Sequence, residues 1–113
     1  MATNNSANNI YPTYQSNVAC NSNTTFTLVS NTSNYYKLTF TSTCTLAFTF
    51  PSAQCVSMTL QMINAGSVTV TWTGVKWAGG AAPTLTSSGT DMVVIWQNGD
   101  GNVYGSLIGL AFA

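Results

Sequence analysis

Charge is what this 113-residue chain has least of. It carries two cations, Lys37 and Lys76, two anions, Asp91 and Asp100, and no histidine or glutamate. Charged residues make up 4% of it, against about 25% in an ordinary globular domain. Whole classes of function go with them. Nucleic-acid binding rests on several Lys or Arg contacts to phosphate and the counterions they displace. Two lysines far apart in sequence do not supply that, and no nucleic-acid partner is expected. General acid–base catalysis needs positioned His, Glu, Asp, Lys, Tyr or Cys, and the set is too thin here for an enzyme to be expected. Asp91 and Asp100 flank a turn-forming stretch, and a carboxylate pair in range would serve glycoside hydrolysis. The plainer reading is one aspartate opening a strand and one in a turn.

Long apolar runs are missing too. Nothing approaches the ~20 residues that span a bilayer, so no membrane association is expected. The opening MATNNSANNIYPTYQSN has neither the basic n-region nor the apolar h-region of a secretory signal, which points to synthesis in a cytoplasm. The Asn-x-Ser/Thr triplets at Asn4, Asn23 and Asn31 carry little weight without such a signal. Cys20, Cys44 and Cys55 are an odd set without a CxxC pair; a cytoplasmic origin favours reduced thiols, and cysteine commonly serves as a small buried hydrophobe. A zinc site takes about four N/S ligands. Asn98, Asp100 and Asn102 alternate with glycines as in part of a calcium loop, but the acidic first position and the closing glutamate are absent. No metal and no cofactor is expected.

What replaces charge is Thr, Ser and Asn. With formal net charge +0 there is little self-repulsion to keep copies apart, which favours a protein that works inside an assembly. Residues 1–24 read as a polar N-terminal arm, with Ile10, Tyr11, Pro12 and Tyr14 as an apolar cluster for docking on a neighbouring subunit. Residues 25–113 read as a single domain. There the pattern turns to period two: TFTLVS, YYKLTFT with Tyr36, Leu38 and Phe40 on one face, CTLAFTF, CVSMTLQMI and SVTVTWT. Strict alternation of this kind marks half-buried strands. Breaks fall at SNTSN, FPSAQ and NAG, the last read as a tight hairpin. PTLT, DMVVIWQ and NVYGSLIGLAF follow, with Tyr104, Ile108, Leu110 and Phe112 expected to point inward and Gly105 and Gly109 to mark close approach or a bulge. About eight strands and no helix predict an all-β, antiparallel, jelly-roll-like sandwich. Tyr35, Lys37 and the outward threonines offer a face that another protein covers cheaply.

The tryptophans divide. Trp72 and Trp96 are expected in the core, where their area is most useful. Trp77 lies in GVKWAGGAAPTL beside Lys76 and two glycines. It is expected to pack back over the end of the sheet, with Lys76 over an aromatic face. Trp77 and Lys76 are also the candidate glycan contacts should the chain bind sugars.

The run SVTVTWTGVKWAGGAAPTLTSSGTDMVVIWQNGDGNVYGSLIG resembles a module found on tailed-bacteriophage virion proteins. The resemblance rests on Trp72, Val75–Lys76–Trp77, Gly79–Gly80, Pro83–Thr84–Leu85–Thr86, Gly89, Asp91, Gly99, Gly101 and Tyr104–Gly105; Tyr104 stands where Trp is more usual. It implies a virion component without fixing its place. A lone sandwich with an arm and no shaft repeats fits a capsid decoration, or cement, protein that trimerises on the head and binds the major capsid protein. The alternative is a tail-fibre or receptor-binding module recognising host glycans. A bacterial surface sugar-binding domain would want the signal peptide that is missing.

Overall fold

In the computed structural model, residues 16–21, 25–29, 34–51 and 54–112 are described. They form nine strands: β1 Ser16–Cys20, β2 Thr25–Val29, β3 Tyr35–Phe40, β4 Cys44–Thr49, β5 Val56–Ile63, β6 Val70–Trp72, β7 Val75–Trp77, β8 Thr90–Gln97 and β9 Val103–Phe112. The only helical pieces among these residues are 3-10 turns at Ala65–Ser67 and Ala78–Gly80.

The chain alternates between two sheets. One has six strands in the order β1-β3-β5-β8-β9-β7, the other three in the order β2-β4-β6. Successive visits to a sheet lie side by side and parallel. Ser16 stands in register with Tyr36, and Tyr36 with Leu60; in the short sheet Thr25 stands by Thr45 and Thr45 by Thr71. The result is a β-solenoid, whose repeat of about 20–26 residues lies in the range of stacked-coil folds. β8 and β9 then break the pattern, pairing antiparallel with β5 and with each other, while β7 runs parallel to β9 at the sheet edge.

The all-β class expected from the sequence is present, but the antiparallel jelly-roll connectivity is not. Most of the pairings among described residues are parallel. The physical reason is that, from β1 to β6, each link between neighbours in one sheet is itself a strand of the other sheet. Parallel partners need a long crossover, and the second sheet supplies it. NAG is accordingly no hairpin but a corner between sheets, with Asn64 left-handed at φ 60° leading into the first 3-10 turn. The expected arm of residues 1–24 contains a strand, β1, paired to β3. PTLT is not a strand, and β7 is one that the pattern did not reveal.

Inward positions stack coil on coil. Leu38 and Met62 stand in one row, Tyr36 and Leu60 in the next, and Leu46 faces them from β4; all are buried. Met58, Val93 and Ile95 continue the core beneath β5 and β8. Tyr36, Leu38 and Phe40 occupy the face that alternation assigned them. Cys20 and Cys44 are buried and their thiols hydrogen-bond one another. Burial first, then the neighbouring Cys44, pushes the Cys20 thiol up to about 12, and burial also raises Cys44. Neither is a ready nucleophile, since the thiolate is the reactive form; Cys55 is exposed. A thiol reagent should therefore label Cys55 alone in the native protein, and Cys20 and Cys44 only in denaturant. Native labelling of either buried cysteine, read by mass spectrometry, would contradict this packing.

Candidate functional site

The stretch from β6 to β9 builds the most distinctive part of the molecule. Gly74, at φ 69°, turns the chain from β6 in the short sheet to β7 in the long one. That turn brings Trp72 and Trp77 together edge to face, ring centroids 4.9 Å apart, and Phe48 of β4 stacks on Trp72 at 6.3 Å. Edge-to-face and offset pairs of this kind add about 0.5–1.5 kcal/mol beyond area burial. Trp77 then covers Gly105 of β9: a Cβ built there would lie 2.6 Å from the indole and 2.8 Å from Val75. Trp77 thus packs back over the sheet end as expected, and Gly105 marks the close approach.

Across the outer surface of the long sheet the register lines up Ser57, Trp96, Tyr104 and Lys76 on four adjacent strands. The row is about 14 Å long at about 4.8 Å per strand. Trp96 and Tyr104 stack with centroids 5.8 Å apart. Beside them is a shallow cleft of about 260 Å³ lined by Lys76, Trp77, Ala78, Trp96, Tyr104 and Ser106. Trp96 was expected in the core and is 36% exposed instead. Its strand alternates, with Ile95 and Gln97 inward, so the residue between them faces out whatever its size. Tyr104, also expected inward, is half-buried beside it.

The same outer surface carries Tyr35, half-buried, whose hydroxyl donates to Gln61 Oε1 at 2.8 Å. Lys37 stands in register with Gln61 and Met92, and Thr39 with Ile63 and Thr90. Both basic residues of the chain thus lie on one face. The candidate contacts Ile10, Tyr11, Pro12 and Tyr14 lie outside the described residues.

The two aspartates are kept apart. Asp91 sits near the start of β8 and Asp100 beyond its far end, about 20 Å away at about 3.3 Å per residue, too far for a glycosidase pair. Asp100 Oδ1 accepts hydrogen bonds from the N–H and the side-chain amide of Asn102, closing the turn that Asn98 N and Asn102 O complete. Asp91 is fully buried. Its Oδ2 accepts Thr86 N–H at 2.6 Å and its Oδ1 accepts Ala111 N–H at 2.9 Å. Burial pushes its pKa upward, but the hydrogen bonds from Ala111 and Thr86 outweigh that and leave it below the ordinary carboxylate value. Among the described residues no group of three or more His, Cys, Asp or Glu is placed to hold a metal ion, and no helix is long and apolar enough to cross a membrane.

The end of β9 departs furthest from expectation. Ile108, Leu110 and Phe112, expected inward, are 55%, 47% and 50% exposed, and Leu107 is 36% exposed. Two register shifts between β8 and β9 take up extra β9 residues, so strict alternation fails where the apolar residues are densest. Gly109 lies under the ring of Phe112, 2.8 Å from where its Cβ would be, so it marks both a bulge and a close approach. No family model, no curated protein and no solved structure matches this chain.

Two outcomes follow. Gly105→Ala should displace Trp77, changing near-ultraviolet circular dichroism and costing about 1–3 kcal/mol as overpacking does. Asp91→Asn should cost about 1.5–3 kcal/mol near neutral pH, the range for hydrogen bonds to charged groups. Because the folded pKa of Asp91 is depressed, the unfolded chain binds its proton first on acidification. The stability it contributes is present above about 4 and lost as pH falls through the folded value. Urea denaturation should therefore show the wild type losing its advantage over Asp91→Asn below about pH 4; a constant difference down to pH 2 would refute the assignment.

Proposed function

We propose that this chain is a non-enzymatic structural protein of a bacteriophage virion, a capsid decoration protein that trimerises on the head and stabilises the major capsid shell. The observation that carries the reading is the outer face of the long sheet. It presents Tyr35, Thr39, Thr59, Gln61 and Val94 with Lys37 and Lys76 as its only charges. Hydroxyl, amide and apolar groups lose little when another protein displaces their water. The resemblance of residues 67–109 to virion modules adds weight, because those residues build one continuous region from β6 to β9. The cleft beside Trp96 and Tyr104 favours a second reading, a tail-fibre module in which Trp77, Trp96 and Lys76 hold a host glycan.

Thr39→Glu should reduce head occupancy at least tenfold, because a carboxylate would be buried unpaired, while stability stays within about 0.5 kcal/mol as for most surface changes. Immunogold microscopy of virions separates the readings. Label over the head supports decoration, and deleting residues 1–15, which leaves β1 whole, should then weaken attachment. Label confined to the tail tip, with cell binding lost in Trp96→Ala, supports the glycan reading and overturns decoration.

A further inference from the structure

Among the described residues, the strand β9 has no paired neighbour on one side beyond Gly105. β7 pairs with it only at Val103, Tyr104 and Gly105, and the chain then leaves through Ala78–Gly80. Between that departing segment and β9 lies a shallow notch of about 260 Å³ lined by Trp77, Ala78, Ala81, Pro83 and Leu107. From Ser106 to Phe112 the edge is therefore open among the described residues. It carries four exposed large apolar side chains: Leu107, Ile108, Leu110 and Phe112.

We propose that this edge of β9 is where copies of the chain meet one another, the four side chains burying against the notch and the β9 edge of a neighbouring copy. The inference rests on the reading above that the chain self-associates, and it assigns the surface. Charge selects this occupant. The strip holds no ionisable side chain; Asp91, which bonds Ala111, is buried with both oxygens engaged, and Lys76 lies only at its Ser106 end, on the cleft beside Trp96. A partner that recognises by charge finds no counter-charge along the strip, whereas a second copy brings an apolar strip and a strand edge of the same kind. Protection of the edges points the same way. Proteins commonly blunt exposed edges with lysine, and β7 carries Lys76, exposed, at the sheet margin. The open part of β9 carries none.

The strip is also held in shape before any contact forms. Ala111, left-handed at φ 54°, donates its N–H to Asp91, and the Phe112 ring folds over Gly109. Fixing the contact residues beforehand lowers the ordering cost of association.

The test is sedimentation velocity on the full chain over a concentration series, for wild type, Ile108→Lys, Leu110→Lys and, as an exposed control on the interior strand β5, Ser57→Lys. Association by wild type and Ser57→Lys, with at least a hundredfold weakening in the folded β9 variants, is expected. Unchanged association of those variants overturns the surface while leaving self-association standing. A wild type that stays monomeric throughout overturns both. If the lysine variants do not fold, deuterium exchange of the unmodified protein decides instead. Amides of residues 106–112 should gain protection as concentration rises, and protection that stays constant while the protein associates refutes the proposal.

Discussion

A stack of parallel coils has to end somewhere, and how this one ends determines most of what surrounds it. Each coil satisfies the backbone of the one before, so the last strand of the parallel run, β5, needs a partner that is not another coil. The chain supplies it by reversing: β8 lies antiparallel on β5 from Val56↔Gln97 to Ile63↔Thr90. The reversal is pinned at its start. Asn64 and Gly89 exchange two hydrogen bonds, Gly66 donates to Thr86 O, and a Cβ on Gly66 would run into the Leu85 carbonyl. Asp91 then ties Thr86 to Ala111. One buried carboxylate thus joins the approach to the cap with its last strand. A charge buried this deeply is tolerable only because backbone donors surround it.

The strands themselves were legible. Tyr36, Leu38 and Phe40, or Met58, Leu60 and Met62, alternate with polar residues and sit on the buried face that alternation assigns. Their pairing was not legible, because alternation records only that one face is covered. Parallel sheets buried on both faces read as continuous apolar runs, whereas a solenoid strand faces its core on one side only and alternates like a hairpin strand. The repeat was faint for a related reason. Lys37 stacks on Gln61 and Leu38 on Met62, so successive coils share polarity but not identity, and uneven corners between sheets blur the period. β1 was missed because Val18 and Cys20 are too few apolar residues to register against so much Asn and Ser.

The site was legible in parts. The glycines beside aromatics announced close approaches, and Gly105 beneath Trp77 and Gly109 beneath Phe112 are such places. The orientation of Trp96 was not, since bulk suggested the core while strand register set it outside. The C-terminal apolar residues misled for the opposite reason. Regular alternation was assumed through β9, and the bulges opposite Met92 remove it. Bulges depend on which residues a partner strand offers, and one strand's sequence does not record that.

The scarcity of charge and the open edges belong to one physical argument. A solenoid exposes strand edges by construction, and charged side chains are the common means of keeping such edges from pairing. Here the chain has four charged residues to place. Asp91 is spent inside the cap and Asp100 in its turn, which leaves Lys37 and Lys76, both on the outer face of the long sheet. Lys37 is three strands from β9, and Lys76 stands beside its start, at Tyr104. An edge rich in Leu, Ile and Phe, unguarded by charge yet fixed in shape by Asp91 and Gly109, is a poor surface for a free monomer and a good one for a subunit. The same economy would let the hydroxyl-rich outer face be covered without stranding ions, so a single compositional choice suits both of the proposed contacts.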